Sequence, residues 1–136
     1  MENRIIAKNG IPIYYYLNPN SHGFFISLFF RSGSMYESER DNGITHFLEH
    51  IAIRNVNKIM GGELYSTLDK HAIEFNASSY SEMVQFYLSG ASENVNVAID
   101  IISKLLMPIS LPREDIDAER GRPGAVPRFR NERYYI

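Results

Sequence analysis

The stretch GITHFLEH, residues 43–50, lies in an apolar run whose hydrophobic positions recur every three or four residues. This spacing is typical of an α-helix that buries one face. On such a helix, residues i, i+3 and i+4 lie on the same side, so the spacing predicts that His46, Glu49 and His50 project together. The apolar positions are Ile44, Phe47, Leu48, Ile51, Ala52 and Ile53. Three polar side chains on one side of an otherwise apolar helix need partners, because burying them alone is costly.

These three polar side chains indicate a metal site. Two imidazoles one helical turn apart can hold one Zn²⁺ at nitrogen–metal distances of about 2.0–2.1 Å. Glu49 lies beside His46 and His50 and can take a proton from a water molecule that the metal activates. A lone histidine on an amphipathic helix is usually a core or boundary residue, but two histidines and a glutamate at this spacing favour metal binding. The chain has no cysteine, so histidine and carboxylate are the only strong ligands available.

Composition and charge exclude several classes of protein. The 136 residues, 44% hydrophobic and 22% charged, suit one folded domain with a buried core. A net charge of −2 and a sequence pI of about 6.1 give no basic surface for binding nucleic acid. No apolar run approaches the roughly 18 residues of a membrane span, and the N-terminus lacks the apolar core of a signal peptide. We therefore expect no nucleic-acid partner, no membrane contact and a cytoplasmic location.

The order of predicted elements is strands, helix, helix, strands, helix, helix. This order predicts an α+β domain with a largely antiparallel sheet and helices packed on one side. Strands are predicted at residues 4–7, 11–17, 22–30, 73–79 and 83–90. Helices are predicted around residues 44–53, 63–71 and 95–106 and from residue 111 onward, with residues 54–60 as a connector.

Two of the predicted strands differ in pattern. Residues 22–30 are apolar on both faces, which predicts a central strand covered on each side. Residues 73–79 alternate between apolar and polar side chains, which predicts a half-exposed strand. Such a strand, with small and polar exposed residues, could accept an extended peptide at its edge. An ordinary surface strand fits the same pattern equally well.

Four short motifs occur in an order that resembles the pitrilysin, or inverzincin, family of zinc metallopeptidases. They are RSGS at 31–34, NGITHFLEH at 42–50, FNAS at 75–78 and IDAER at 116–120. The His-x-x-Glu-His order within the second motif is the reverse of the His-Glu-x-x-His order of other zinc peptidases. The resemblance covers about residues 5–120, and the chain is similar to the N-terminal part of family members.

This resemblance implies a zinc-dependent endopeptidase domain that hydrolyses peptide bonds, with Zn²⁺ as its cofactor. It implies that His46 and His50 are the zinc ligands and that Glu49 is the general base that activates water. It further implies that Glu119, on a later helix, is a supporting carboxylate of the site.

A peptide substrate and a partner chain are also implied by the resemblance. Asn76 and Ala77 would lie on a strand that pairs with the substrate backbone. Members of the family close a substrate chamber from several similar domains or from two subunits. We therefore expect a homodimeric or heterodimeric partner that completes the chamber.

The sequence departs from the family pattern after residue 120. The third zinc ligand of the family is a Glu about two helical turns, or about seven residues, after the position of Glu119, and Val126 occupies that position here. Residues 121–127 include two Pro and two Gly, so they are not expected to continue a helix. We therefore divide the chain into an incomplete peptidase domain, residues 1–120, and an atypical tail, residues 121–136. A truncated or altered gene product would explain the departure.

Several alternatives remain open at this point. Glu119 could bind the metal directly, and Glu132 could do so from the tail. The chain could also be a truncated or non-catalytic fragment or subunit of the family that acts through a complete partner chain. A metal-binding or structural domain without any role on peptides is a third interpretation.

Overall fold

The structure is a computed structural model that describes residues 2–121, and these residues form five β-strands and four α-helices. The strands are β1 (Glu2–Ile6), β2 (Pro12–Tyr16), β3 (Gly23–Phe30), β4 (Glu74–Ser79) and β5 (Val84–Ala91). The α-helices are α1 (Ile44–Ile59), α2 (Leu64–Lys70), α3 (Val95–Ser103) and α4 (Arg113–Arg120). Short 3-10 turns lie at Ser34–Tyr36, Ser92–Asn94 and Lys104–Leu106. The predicted tail lies outside the described residues apart from residue 121, so Val126 and Glu132 are not described.

Two antiparallel sheets contain the strands. β1 and β2 form a hairpin of their own, whereas the second sheet has the order β3-β5-β4. The hairpin turns at Gly10, which adopts φ +85° and donates its N–H to the Ala7 carbonyl at 2.9 Å. Residues in this left-handed region favour glycine because a Cβ atom is strained there. The α+β class with antiparallel sheets, predicted from the sequence, is confirmed.

The prediction that residues 22–30 form a central strand covered on each side is wrong for the part of the chain that the structure describes. β3 is an edge strand of the three-stranded sheet, and β5 is its centre. Phe25 and Phe29, on the outer face of β3, are 64% and 55% exposed. The Phe25 ring instead stacks on Tyr87 of β5, with ring centroids 5.6 Å apart. Apolar residues on both faces therefore do not require two covering layers, because aromatic neighbours on adjacent strands also pack along the sheet surface.

The hydrophobic core lies between one face of β5 and the helices. Along β5, Val84, Phe86 and Leu88 are buried and alternate with half-buried residues, as expected for a strand that packs helices on one face. Helices α1, α2 and α3 supply most of the other buried residues of this core. The main cluster consists of Val56, Leu64, Leu68, Ile73, Leu88, Ala98, Ile101 and Ile102. The core therefore lies between the sheet and helices packed on one side of it, as predicted.

Helix α1 is longer than the sequence predicted, because residues 54–60 continue it to Ile59 rather than forming a connector. Asn55 and Val56 are only 2% and 0% exposed, so this part of the helix faces inward. The helix ends at two glycines, and the Gly62 N–H donates to the Asn57 carbonyl at 2.8 Å. Gly62 adopts φ +90°, as is common just after a helix C-terminus. Within residues 2–121, no helix combines the length and apolarity that crossing a bilayer requires.

Candidate metal centre

The first two turns of α1 bring two imidazoles together. The Nε2 atoms of His46 and His50 lie 3.2 Å apart, and the two ring planes are 71° apart. Glu49 is 8% exposed and lies on the same side of the helix. One ligand atom from each of these three residues lies within 4.8 Å of the others. The i, i+3, i+4 spacing therefore produces the cluster that the sequence predicts.

Glu119 of α4 fixes the orientation of one of these imidazoles. Its Oε1 lies 3.0 Å from Nδ1 of His50, and the residue is 1% exposed. Because an ionised carboxylate can only accept, Nδ1 of His50 donates this hydrogen bond. Nε2 of His50 is then the ring nitrogen that faces His46 and is available to a metal. Glu119 therefore contacts the ring nitrogen away from the cluster, which favours a supporting carboxylate over a direct ligand.

Sequence reasoning missed two residues of α1: Arg54, which attaches α4 to this helix, and Asn55, which attaches the segment before α4. Arg54 Nη1 donates to Glu119 Oε2 at 2.7 Å, so its charge balances a buried carboxylate. Asn55 Nδ2 donates to the Pro108 carbonyl at 3.2 Å, and its Oδ1 accepts the Ser110 N–H at 2.9 Å. Continuing the helical period past His50 would have placed Arg54 one turn further on the same side. The prediction of residues 54–60 as a connector, rather than as part of the helix, excluded Arg54 from that period.

Ser79, at the end of β4, holds the carboxylate of Glu49. The Ser79 hydroxyl donates a short hydrogen bond to Oε2 of Glu49. The distance from the same oxygen to Nδ1 of His46 is 3.8 Å, which is too long for a hydrogen bond. Glu49 is therefore positioned by the sheet rather than by its helical neighbour. No sequence motif marked Ser79, because it meets Glu49 only in the folded chain.

A cleft of about 260 Å³ opens beside the cluster. It is lined by Glu49, His50, Ile53, Arg54, Tyr65, Phe75, Asn76, Ala77 and Glu119. Asn76 and Ala77 belong to β4, which pairs only with β5 among the described residues and so leaves one edge open there. The Asn76 side chain accepts the Ala77 N–H at 2.9 Å. The two predicted substrate-binding residues thus line the same cleft as Glu49 and His50.

The donor set fits zinc. Two ligands of a tetrahedral Zn²⁺, each bound at about 2.0–2.1 Å, lie about 3.3 Å apart, and the two Nε2 atoms are separated by 3.2 Å. Imidazole nitrogen and carboxylate oxygen are also the ligand types of catalytic zinc sites. Within residues 2–121, the ligand atoms of His46, Glu49 and His50 lie within 4.8 Å of one another. The third-ligand position, Val126, lies beyond residue 121.

The family model that matches this chain and two similar proteins are named as peptidases or proteases. The family model of insulinase (peptidase family M16) matches residues 14–126. The chain is 34% identical over 96 residues to the mitochondrial-processing peptidase subunit beta of Caenorhabditis elegans, covering 71% of this chain and 21% of that protein. It is 32% identical over 112 residues to an uncharacterized zinc protease of Rickettsia bellii, covering 82% of this chain and 27% of the relative.

A solved structure shares the fold. The crystal structure of a protease from Helicobacter pylori superposes with a TM-score of 0.75 at 17% sequence identity, covering 88% of this chain and 29% of that one. At this identity the likeness concerns the fold alone. The chain spans about a fifth to just over a quarter of the length of the curated relatives described above.

Proposed function

The chain belongs to the insulinase family of peptidases, family M16, and from this premise we propose that it carries the zinc-binding half of a metallopeptidase active site. Family membership supports a zinc-dependent, peptidase-like role. The observation that carries the finer proposal is the approach of the two Nε2 atoms to 3.2 Å, with the Glu49 carboxylate beside them. Hydrolysis with a bound zinc needs imidazole nitrogens to hold the metal and a carboxylate beside them to accept a proton, and this arrangement provides both.

In the proposed reaction, His46 and His50 would hold zinc through their Nε2 atoms. Zinc, when bound, supplies a Lewis acid that polarises the scissile carbonyl and makes water more acidic. Glu49 accepts the proton of the attacking water and passes it to the departing amine. The Ser79 hydroxyl keeps the Glu49 carboxylate turned toward the cleft, and Glu119 keeps Nδ1 of His50 protonated so that Nε2 remains a donor to the metal.

We further propose that the substrate is an extended peptide lying along β4. The open edge of β4 at Asn76 and Ala77 can pair with a peptide backbone by strand addition. The cleft beside it has apolar walls at Ile53, Tyr65 and Phe75, which suit an apolar side chain. Peptides or unfolded precursors are favoured over folded proteins, because only an extended segment can occupy a sheet edge.

A partner or a further stretch of chain would complete the site. The described residues supply two histidines and Glu49, but a site that holds zinc tightly needs a third ligand and leaves a fourth position open. One relative is named as a subunit, which supports a partner chain here. The second candidate function is therefore a non-catalytic subunit that contributes this surface to a complete partner, and Val126 at the third-ligand position favours it.

Peptide cleavage separates these two candidates. The full chain, alone and with zinc, is incubated with a set of unfolded peptides, and the products are followed by mass spectrometry. The catalytic proposal predicts cleavage that Glu49→Gln abolishes while zinc content is unchanged. A matched control is Glu39→Gln, at an exposed residue of the loop before α1. Zinc binding without cleavage by the wild-type chain would favour the non-catalytic subunit, and cleavage that survives Glu49→Gln would contradict the proposed role of Glu49.

A further inference from the structure

The N-terminus of α1 is capped by a side chain from outside the helix. The N-cap residue is Gly43, which adopts φ +87° and has no side chain to contribute. Instead, Oε2 of Glu37 accepts the Gly43 N–H at 2.7 Å, and Oε1 accepts the Thr45 N–H at 2.9 Å. Both oxygens of one carboxylate are therefore used on the first turn of the helix that carries the metal cluster.

The charge of Glu37 suits this position. Burial and, to a smaller extent, the Asp41 carboxylate raise the pKa of Glu37. The hydrogen bonds from the Gly43 and Thr45 backbone and from the Thr45 hydroxyl lower it by more, so the net pKa is below the ordinary value. Glu37 is therefore ionised at neutral pH. A negative charge at a helix N-terminus also complements the helix dipole and satisfies N–H groups that have no partner within the helix.

The loop that presents Glu37 is fastened to the sheet. Gly33 adopts φ +148°, and a Cβ atom there would overlap the Ser81 carbonyl in the β4–β5 turn. The Met35 N–H donates to that same carbonyl at 2.9 Å. Within the same loop, Arg31 Nε donates to the Tyr36 hydroxyl at 2.9 Å. Glu37 thus links a fixed point of the sheet to the start of α1.

The two histidines differ in what holds their rings. His50 is fixed by the buried carboxylate of Glu119, whereas Nδ1 of His46 lies 3.8 Å from the carboxylate of Glu49 and its side chain is 43% exposed. Besides its 3.2 Å contact with Nε2 of His50, the His46 ring is therefore placed by the backbone of the first turn. Thr45, the residue immediately before His46, is one of the two whose N–H groups Glu37 binds.

We propose that Glu37 is a positioning residue of the metal centre: its carboxylate fixes the first turn of α1 so that the His46 imidazole meets His50. This inference rests on the proposed function, since it assumes that the two histidines hold zinc. Glu37 does not contact the cluster itself. It acts through the Gly43 and Thr45 amides, as the residues around other metal sites act through the ligands they orient.

The test compares zinc affinity and histidine geometry in variants of the full chain. Zinc affinity is measured by competition with a chromophoric chelator, below the unfolding temperature of every variant. Glu37→Ala loses both acceptors and is expected to weaken zinc binding about tenfold. Glu37→Gln keeps one acceptor oxygen and is expected to fall between Glu37→Ala and wild type. Two controls are expected to bind zinc as wild type does: Glu39→Gln in the same loop, and Ile101→Val, which loosens the core at α3.

A metal-free measurement separates this inference from the proposed function. In zinc-free protein, NMR signals of the His46 ring and hydrogen exchange at the Thr45 amide are compared between variants. Glu37→Ala is expected to shift the His46 ring signals and speed exchange, and Glu39→Gln is not. Absence of zinc binding in wild type would overturn the proposed function, and the NMR comparison would still decide the positioning claim. Unchanged His46 signals in folded Glu37→Ala, or zinc binding equal to wild type in that variant, would overturn the inference.

Discussion

Replacing Glu119 by glutamine tests the contact that joins α4 to the metal cluster. Glu119 is 1% exposed and accepts from Arg54 Nη1 at 2.7 Å and from His50 Nδ1 at 3.0 Å. Hydrogen bonds to a charged group contribute about 1.5–3 kcal/mol each. Glutamine keeps one acceptor oxygen, and the Arg54 side chain is 30% exposed, so water screens part of the loss. We therefore expect Glu119→Gln to lower the free energy of unfolding by about 2–3 kcal/mol.

Urea unfolding of the metal-free chain measures this change, with equal m-values showing that the unfolding reaction is the same. Glu114→Gln is the matched control, because Glu114 lies on the same helix but is exposed, and its expected change is below about 0.5 kcal/mol. Arg54→Met completes a double-mutant cycle in which we expect a coupling energy of about 1–2 kcal/mol between Arg54 and Glu119. Glu119→Gln as stable as wild type, or a coupling energy of zero, would refute the account of this contact.

Three further changes test the anchors around the cluster. Gly33→Ala forces a Cβ atom into the Ser81 carbonyl at a positive φ, so we expect a loss of more than about 2 kcal/mol in thermal or urea unfolding; a folded variant of wild-type stability would contradict the close approach. Asn55→Ala removes two hydrogen bonds made by a side chain of a residue that is 2% exposed, which should lower stability by about 2 kcal/mol in the same assay; a change near zero would show that water replaces the side chain. The folded-state pKa of Glu37 lies below the ordinary pKa of a glutamate, so the stability that its charge contributes is present above that ordinary pKa and is lost as pH falls through the folded-state pKa. The gap in unfolding free energy between wild type and Glu37→Gln should therefore be largest near neutral pH and shrink in acid, and a gap that grows in acid would contradict the assigned direction.

The local part of the site was predictable from the sequence. His46, Glu49 and His50 are neighbours because of helical spacing alone, and three residues within one turn need no tertiary contact to share a side. The alternation of residues 73–79 likewise predicted a strand in the right place, observed as β4 at Glu74–Ser79. Periodicity is reliable here because it reflects the geometry of a single element.

The features that the sequence analysis missed depend on what each helix, strand or loop packs against. Residues 54–60 carry two asparagines and two basic residues, which resemble a connector, but Asn55 is buried against the segment before α4 and helix α1 continues through it. Ser79 meets Glu49 across 30 residues of chain, and Glu37 reaches α1 from a loop that the sequence describes only as polar. Such contacts exist only in the folded chain, so no local pattern marks them.

The edge position of β3 shows a different limit of sequence patterns. The run of phenylalanines in residues 23–30 carries apolar side chains on both faces, yet the described residues cover only one of them. Hydrophobicity alone does not distinguish a strand with two covering layers from one whose outer aromatics pack along the sheet, as Phe25 does on Tyr87. The order of strands is a property of the whole sheet, so the sequence of a single strand does not predict its position in that order.

The central claim is that His46 and His50 converge on a single zinc ion, and calorimetric titration of the full chain with Zn²⁺ tests it most directly. The account predicts saturable binding of one zinc per chain, retained in Glu49→Gln and lost in both His46→Ala and His50→Ala, with each variant checked for its fold by circular dichroism. A wild-type chain that takes up no zinc, or His46→Ala and His50→Ala chains that bind it as tightly as wild type, would contradict the account.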